Sequence, residues 1–253
     1  MPHLQVDPRF HGPPNSANGG YVCGLVASLA AGPVEVSLRL PPPLGRPMRA
    51  EVTADGGVRV HDGGALFVEA VPASKPHLDL DVPGGVDLEA AQVASRGYTG
   101  FDEHPFPTCW TCGPDRQEGD GLRIFTGPVA GLSSDVGLVA GPWVPHEELD
   151  AGDGNVAAPH VWAALDCPTY FGSASPEPAL LARLRADQRA PIRIGQPYVV
   201  LGWTTASPEG RKRHGGAAVL GGDGELLAVS AAIWVTLSAE ALASLLDPSP
   251  AVP

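Results

Sequence analysis

Arg39-Leu-Pro-Pro-Pro-Leu-Gly-Arg-Pro47 returns later in the chain as Arg189-Ala-Pro-Ile-Arg-Ile-Gly-Gln-Pro197. Arg, Pro, Gly and Pro fall at the same four places, at an offset of 150 (189 − 39). Downstream, Asp62-Gly63 and an apolar run over 65–71 recur as Asp223-Gly224 and a run over 226–235, at an offset of 161 (223 − 62). Upstream, an apolar segment over 19–31 is echoed over 157–171, with Ala27 matching Asp166 at an offset of 139 (166 − 27). Two copies are too few for a solenoid. They predict a fused, pseudo-symmetric pair of units, the symmetry of a homodimer carried by one chain.

Each unit reads as a helix followed by four strands. Residues 19–31 are apolar almost all round, which marks a buried helix, and Gly32-Pro33 ends it. Strands are expected over 34–40, 48–54, 58–61 and 65–72. Val34, Val36, Leu38 and Leu40 alternate as one buried strand face requires, and Asp62-Gly63 is a hairpin turn. A connector over 73–108 holds a short helix at about 87–95. The second unit starts near Gly121. Strands are expected over 122–125 and 136–144, then a central helix over 157–171 that Pro168 should kink or end. An inserted helix over 179–188 follows, then strands over 192–194, 198–205, 211–220 and 226–237. Ser238 caps a last helix to residue 246, and the Pro-rich end is expected to fray. A central apolar helix followed by antiparallel strands is best buried by being wrapped in that sheet. Two such units side by side would share one continuous sheet.

Composition narrows the function. The 253 residues are 43% hydrophobic and 17% charged, a globular balance. A formal net charge of −12 argues against a nucleic-acid partner. No apolar run approaches the ~18 residues of a membrane span, and the first residues do not read as a signal peptide. Four cysteines in a chain of this length are no disulfide framework. The expectation is a soluble, cytoplasmic protein with no membrane partner.

Cys109-Trp-Thr-Cys-Gly-Pro-Asp-Arg116, followed by Gly121-Leu-Arg-Ile-Phe125, resembles the opening of many hotdog-fold acyl thioesterases. Those enzymes carry a Cys-x-x-Cys-Gly-Pro loop, a Gly-Leu-x-Leu strand, and a central helix of the form His/Asn-Gly-Gly-x(6)-Asp. The resemblance runs from about Phe10 to Leu237. It implies an α+β double hotdog of two repeats, each a central helix wrapped by an antiparallel β-sheet. The repeats would span 1–72 and 109–237, joined by the connector 73–108 and followed by a helix and tail over 238–253. In the first helix Asn18-Gly19-Gly20 supplies the glycine start, but Ala27 stands at the acid position. In the second, the start is Ala157-Ala158-Pro159, while Asp166 keeps the acid. The family builds a site from the glycine end of one helix and the acid of its neighbour. One complete site and one lost mirror image are therefore implied.

The chemistry calls for these residue types. Negative charge develops on a thioester carbonyl oxygen, and free N–H groups at a helix N-terminus stabilise it. Glycine lets substrate approach the backbone closely. Gly20 N–H is then the expected oxyanion donor and Gly19 lines the approach. Asp166 is base or nucleophile. Asn18, or else Asn15, would orient the water or the thioester, and Thr169 lies one helical turn from Asp166. The bland alternatives are a helix cap at Asn18 and an ion pair of Asp166 with Arg123 or Arg193.

Arg211 and Arg213, in Arg211-Lys-Arg-His214, could grip coenzyme A phosphates or sit on a solvated hairpin tip after Pro208-Glu-Gly210. Arg183, Arg185, Arg189 and Arg193 form a second patch with the same two readings. Cys109 and Cys112 have half the spacing of a zinc site, with His104, His146 or His160 as conceivable partners. Similar enzymes carry this loop without metal, so a structural turn and no metal are expected. Cys167, next to Asp166, reads as a nucleophile or as a small buried hydrophobe, and Cys23 as a small buried hydrophobe. Trp110, Trp143, Trp162, Tyr170, Phe171 and Trp203 line an acyl tunnel or fill the core.

The expected activity is hydrolysis of an acyl-CoA thioester to carboxylic acid and coenzyme A. The partner is a small-molecule acyl thioester, and no cofactor is needed beyond the coenzyme A of the substrate. Pairing through sheet edges into a homo-oligomer stays open. The rivals are an acyl or acyl-CoA binding shell without turnover, and an acyl thioester hydratase or dehydratase. The latter uses an Asp and His pair, whereas His160 at helical spacing points away from Asp166.

Overall fold

The computed structural model describes residues 3–130, 137–173 and 177–246. The first half runs β1 (His3–Leu4), a single 3-10 turn at Pro8–Phe10, α1 (Gly19–Ala27), β2 (Val34–Leu38), β3 (Met48–Val52), β4 (Val58–Asp62) and β5 (Ala65–Pro72). The connector carries α2 (Leu88–Ser95). The second half runs β6 (Gly127–Pro128), β7 (Val139–Trp143), α3 (Ala158–Ala164), α4 (Cys167–Gly172), β8 (Ala179–Gln188), β9 (Tyr198–Glu209), β10 (Lys212–Leu220), β11 (Leu226–Thr236) and α5 (Ala239–Leu246). No helix among the described residues is long and apolar enough to cross a membrane.

All eleven strands join one sheet in the order β1-β3-β4-β5-β2-β8-β11-β10-β9-β7-β6. The order is mirrored about the β2–β8 seam. From β2 it runs outward through β5, β4 and β3; from β8 it runs through β11, β10 and β9. The seam is antiparallel, with Val36 opposite Leu184 and Ser37 opposite Arg183. The Arg183 guanidinium ties it further, lying 3.2 Å from the Glu35 carboxylate.

The sequence explains the helices. The Asn18 side chain caps α1 by accepting the Tyr21 N–H, and Val22, Cys23 and Val26 are fully buried beneath the first half of the sheet. The helix ends at Ala27, before the expected 31, and the chain turns through 28–31 to reach Gly32-Pro33. The second central helix breaks between α3 and α4, as Pro168 requires. Proline has no N–H to bond the carbonyl four residues back, and its ring crowds that carbonyl. The break leaves Asp166 at the start of α4, its side chain capping nothing there. α1 and α3 lie against each other through two glycines. A Cβ on Gly24 would come 2.6 Å from Pro159 Cα, and one on Gly20 would come 2.5 Å from Asp166 Cβ.

Three expected elements differ. Residues 179–188 form β8, the seam strand, and not an inserted helix. Ala, Leu, Arg and Gln favour helix, but β2 and β11 flank this segment on both sides and pair its backbone. In the mirrored order β8 is the counterpart of β2. Residues 122–125 form no strand, because Arg123 adopts φ 51°. The segment instead bonds the cysteine loop, through Leu122 N–H to Trp110 C=O (2.8 Å) and Ile124 N–H to Thr111 C=O (2.9 Å). Residues 192–194 make one isolated bridge, Asn155 with Arg193. Residue 136, where β7 was expected to begin, and the tail 247–253 lie outside the described residues.

The second half is covered on both sheet faces. Along β9, Val200 joins the core around α3 while Val199 and Leu201 join the core under α2. The connector is strapped to β8. The Asp187 carboxylate accepts Leu78 N–H at 3.1 Å, and Arg189 reaches Leu78 C=O at 2.6 Å. Arg185 likewise donates to His77 C=O at 3.3 Å. Arg183 thus ties the seam, and Arg185 and Arg189 hold the strap.

Candidate active site

The two helices bring the residues of the split motif together. Gly20 N–H donates to Asp166 Oδ2 at 2.8 Å, across 146 residues of sequence. Asp166 is 1% exposed, and its Oδ1 has no hydrogen-bond partner among the described residues. Arg123 turns instead to the Arg116 carbonyl. Burial pushes the Asp166 carboxyl up to about 8, while the Gly20 N–H and the nearby Asn18 amide pull it down.

The first-turn donors of α1 can be counted. Tyr21 N–H goes to Asn18 Oδ1 at 2.9 Å, and Gly20 N–H goes to Asp166. Gly19 N–H has no intrahelical acceptor and no other partner among the described residues. Gly20, the expected oxyanion donor, is therefore spent on the carboxylate, and Gly19 offers the open N–H. Asn18 is buried; beyond capping α1, its Nδ2 donates to Thr111 Oγ1 at 3.3 Å.

Asn18, Gly19 and Asp166 line a cavity of about 330 Å³. Its walls are mostly apolar, including Leu38, Leu181, Tyr170, Phe171 and Trp234. Of the aromatic residues read from the sequence, Tyr170 and Phe171 face it, while Trp110, Trp143, Trp162 and Trp203 are core. Arg211 lines the cavity and is exposed. Arg213 is not part of the lining; it is paired with Glu177 at 2.6 Å. The run does sit on a hairpin tip, with Gly210 at φ 55° between β9 and β10.

Thr169 is not placed to meet a ligand. Its hydroxyl donates to Asp166 C=O at 2.6 Å and accepts Trp234 Nε1–H at 2.7 Å. Asn15 is exposed in the turn between Gly12 and Ser16, which line the cavity while Asn15 does not. His160 is buried among Phe10, Tyr21 and Trp110, away from the cavity lining. Burial lowers it to about 4.

The cysteine loop closes one end of the cavity. Cys109, Cys112, Cys167 and His104 all line it. Hydrogen bonds from the Cys112 and Cys167 thiols hold Cys109 well below the ordinary thiol value, whereas burial raises Cys112. Of the histidines the sequence offered as partners, His104 reaches the loop, whereas Cys167 was missed, because it lies 55 residues beyond Cys112 (167 − 112) with no spacing signal. Cys23 lies apart, in the core around α1.

No protein-family model matches the chain, and a search of curated proteins finds no match. Solved structures do match. A conserved protein of unknown function with hot dog fold from Alicyclobacillus acidocaldarius aligns over 93% of this chain and 92% of its own, at 14% identity and a TM-score of 0.58. The tesB protein of Mycobacterium avium subs paratuberculosis aligns over 93% and 92%, at 14% identity and 0.59. An acyl-CoA thioesterase II from Mycobacterium marinum aligns over 93% and 92%, at 13% identity and 0.59. At these identities the likeness is one of fold, and the chain has the hotdog fold over nearly its whole length.

Proposed function

We propose that this chain is a double hotdog thioester hydrolase that cleaves an acyl-CoA to a carboxylic acid and free coenzyme A. Its fused repeats span 1–72 and 109–237, joined by 73–108 and followed by 238–253. The observation that carries the reading is the buried Asp166 carboxylate beside an apolar cavity, one oxygen held by Gly20 N–H and the other without a partner among the described residues. A carboxylate so fixed is aimed, because one oxygen is anchored and the other is left for chemistry. The name of one matched structure, an acyl-CoA thioesterase II, supports the same reaction class.

The acyl chain lies against Leu38, Leu181 and Trp234, and the thioester carbonyl faces Gly19 N–H. Asp166, ionised in the fraction that grows as the pH rises through about 8, accepts a proton at Oδ1 from a water whose oxygen bonds to the carbonyl carbon. Gly19 N–H and the positive end of α1 stabilise the oxyanion. The carbonyl re-forms as the carbon–sulfur bond breaks, and the departing thiolate takes the proton from Asp166. Arg211 at the rim meets coenzyme A phosphates. Asn18 acts by holding the start of α1.

Thiol release is to be followed over short, medium, long and aryl acyl-CoAs, with Asp166→Asn beside the wild type. Turnover that collapses in the variant supports the proposal. Turnover unchanged by the variant removes Asp166 from the mechanism. Ligand retained without product leaves an acyl-binding shell.

A further inference from the structure

The cysteine loop has a use that the hydrolysis does not absorb. The sulfurs of Cys109, Cys112 and Cys167 lie within 4.8 Å of one another, and all three residues are buried. Cys109 and Cys167 are 3.8 Å apart, sulfur to sulfur. Zinc bonds thiolate at about 2.3 Å in a tetrahedral arrangement, which places its sulfurs about 3.8 Å apart. One pair already stands at that distance, and the widest contracts by no more than about 1 Å to reach it.

The surroundings hold the loop in this shape. Gly113 N–H bonds Cys109 C=O at 2.9 Å, and Arg116 Nε–H bonds Thr108 C=O at 2.8 Å. Asn18 Nδ2 points at the Cys109 sulfur from 3.7 Å. His104 Nε2 lies 3.3 Å from the Cys112 sulfur, and its Nδ1 accepts Phe106 N–H at 2.9 Å. With Nδ1 accepting, a neutral imidazole carries its proton on Nε2 and donates to the sulfur. His104 in this orientation supports a thiolate and does not itself bind the metal. An iron–sulfur cluster calls for four cysteines, and the fourth, Cys23, lies in a different core.

We propose that Cys109, Cys112 and Cys167 together bind one zinc ion, with the fourth position supplied from the cavity and His104 hydrogen-bonded to the Cys112 sulfur. This departs from the expectation of a metal-free structural turn, which weighed Cys109 and Cys112 with histidine partners and without Cys167. The ion would bolt the cysteine loop to the first residue of α4, immediately after Asp166.

The test uses the full-length, untagged chain, reduced and freed of metal. Cobalt(II) titration should give intense thiolate-to-metal charge-transfer absorption that saturates at one equivalent and is displaced by zinc. Zinc should slow the reaction of three thiols with a thiol reagent relative to the metal-free chain and leave the rate at Cys23 unchanged. Cys112→Ser and Cys167→Ser should each lose the absorption, while Cys23→Ser and Asp166→Asn keep it. If a cysteine variant fails to fold, the wild-type titration and thiol protection decide alone. No charge-transfer band and no thiol protection in the folded wild type would overturn the site. So would a Cys109–Cys167 disulfide in the freshly purified chain. Because Asp166→Asn is expected to keep its metal, this result stands or falls apart from the hydrolysis.

Discussion

At the scale of single residues, Asp166 and Thr169 sit three positions apart and are asked to do different things. Asp166 keeps one oxygen unpartnered beside the cavity, so Asp166→Asn should lower kcat by about 10²–10⁴-fold, the usual yield of a positioned base. Asparagine is nearly isosteric, and circular dichroism should show the fold intact. Thr169 has both faces of its hydroxyl committed to buried partners. Thr169→Val should strand Trp234 Nε1–H and cost about 1–3 kcal/mol. In a chain of this size that lowers the melting temperature by on the order of 2–12 °C, while kcat of the folded fraction changes only a few-fold. A hundredfold loss of kcat in Thr169→Val at unchanged melting temperature would return Thr169 to the chemistry. Asp166 was legible because a carboxylate inside an apolar helix is costly and so asks for a use. The role of Thr169 was not, since a helical spacing gives proximity and says nothing of which partners have already taken the hydroxyl.

At the scale of elements, the first half was readable almost strand by strand. Its hairpins are short, its alternation is clean, and each strand is bounded by Gly, Pro or Asp. β8 was not readable because its residues favour helix and its strand character comes from neighbours distant in sequence. The same strand yields a pH prediction. Asp187 near its end holds the connector. Burial alone would raise its carboxyl, but Leu78 N–H, His77 and Arg189 outweigh that and hold it below the ordinary value. A carboxyl depressed in the folded state contributes stability above its unfolded value of about 3.9, lost as pH falls through the folded value. Asp187→Asn should therefore have a lower urea midpoint than the wild type at pH 7. The gap should close as the pH is taken below about 4. A gap as wide at pH 3 as at pH 7 would show that the strap does not depend on the Asp187 charge.

At the scale of the whole molecule, the strand order is mirrored about β2–β8, and the residues of the proposed site have no like counterparts in the mirrored positions. Where one half sets Gly20 against Asp166, the corresponding positions are Pro159 and Ala27. Proline has no N–H to give and alanine has no carboxylate to receive it. The asymmetry could be seen in the sequence once the two helices were laid over each other. What could not be seen was that the donor facing the cavity is Gly19, because that depends on Gly20 being consumed by its neighbour. The chain should accordingly bind one acyl-CoA per molecule. Calorimetry of Asp166→Asn with a non-hydrolysable acyl thioether of coenzyme A should give a stoichiometry of one. Ala27→Asp should neither raise that number nor restore turnover to Asp166→Asn. Pro159 has no N–H to give, so the new carboxylate would gain no counterpart of the Gly20 hydrogen bond. Two bound ligands per chain, or turnover regained in the double variant, would mean that the mirrored positions still form a site and that the mirror was never lost.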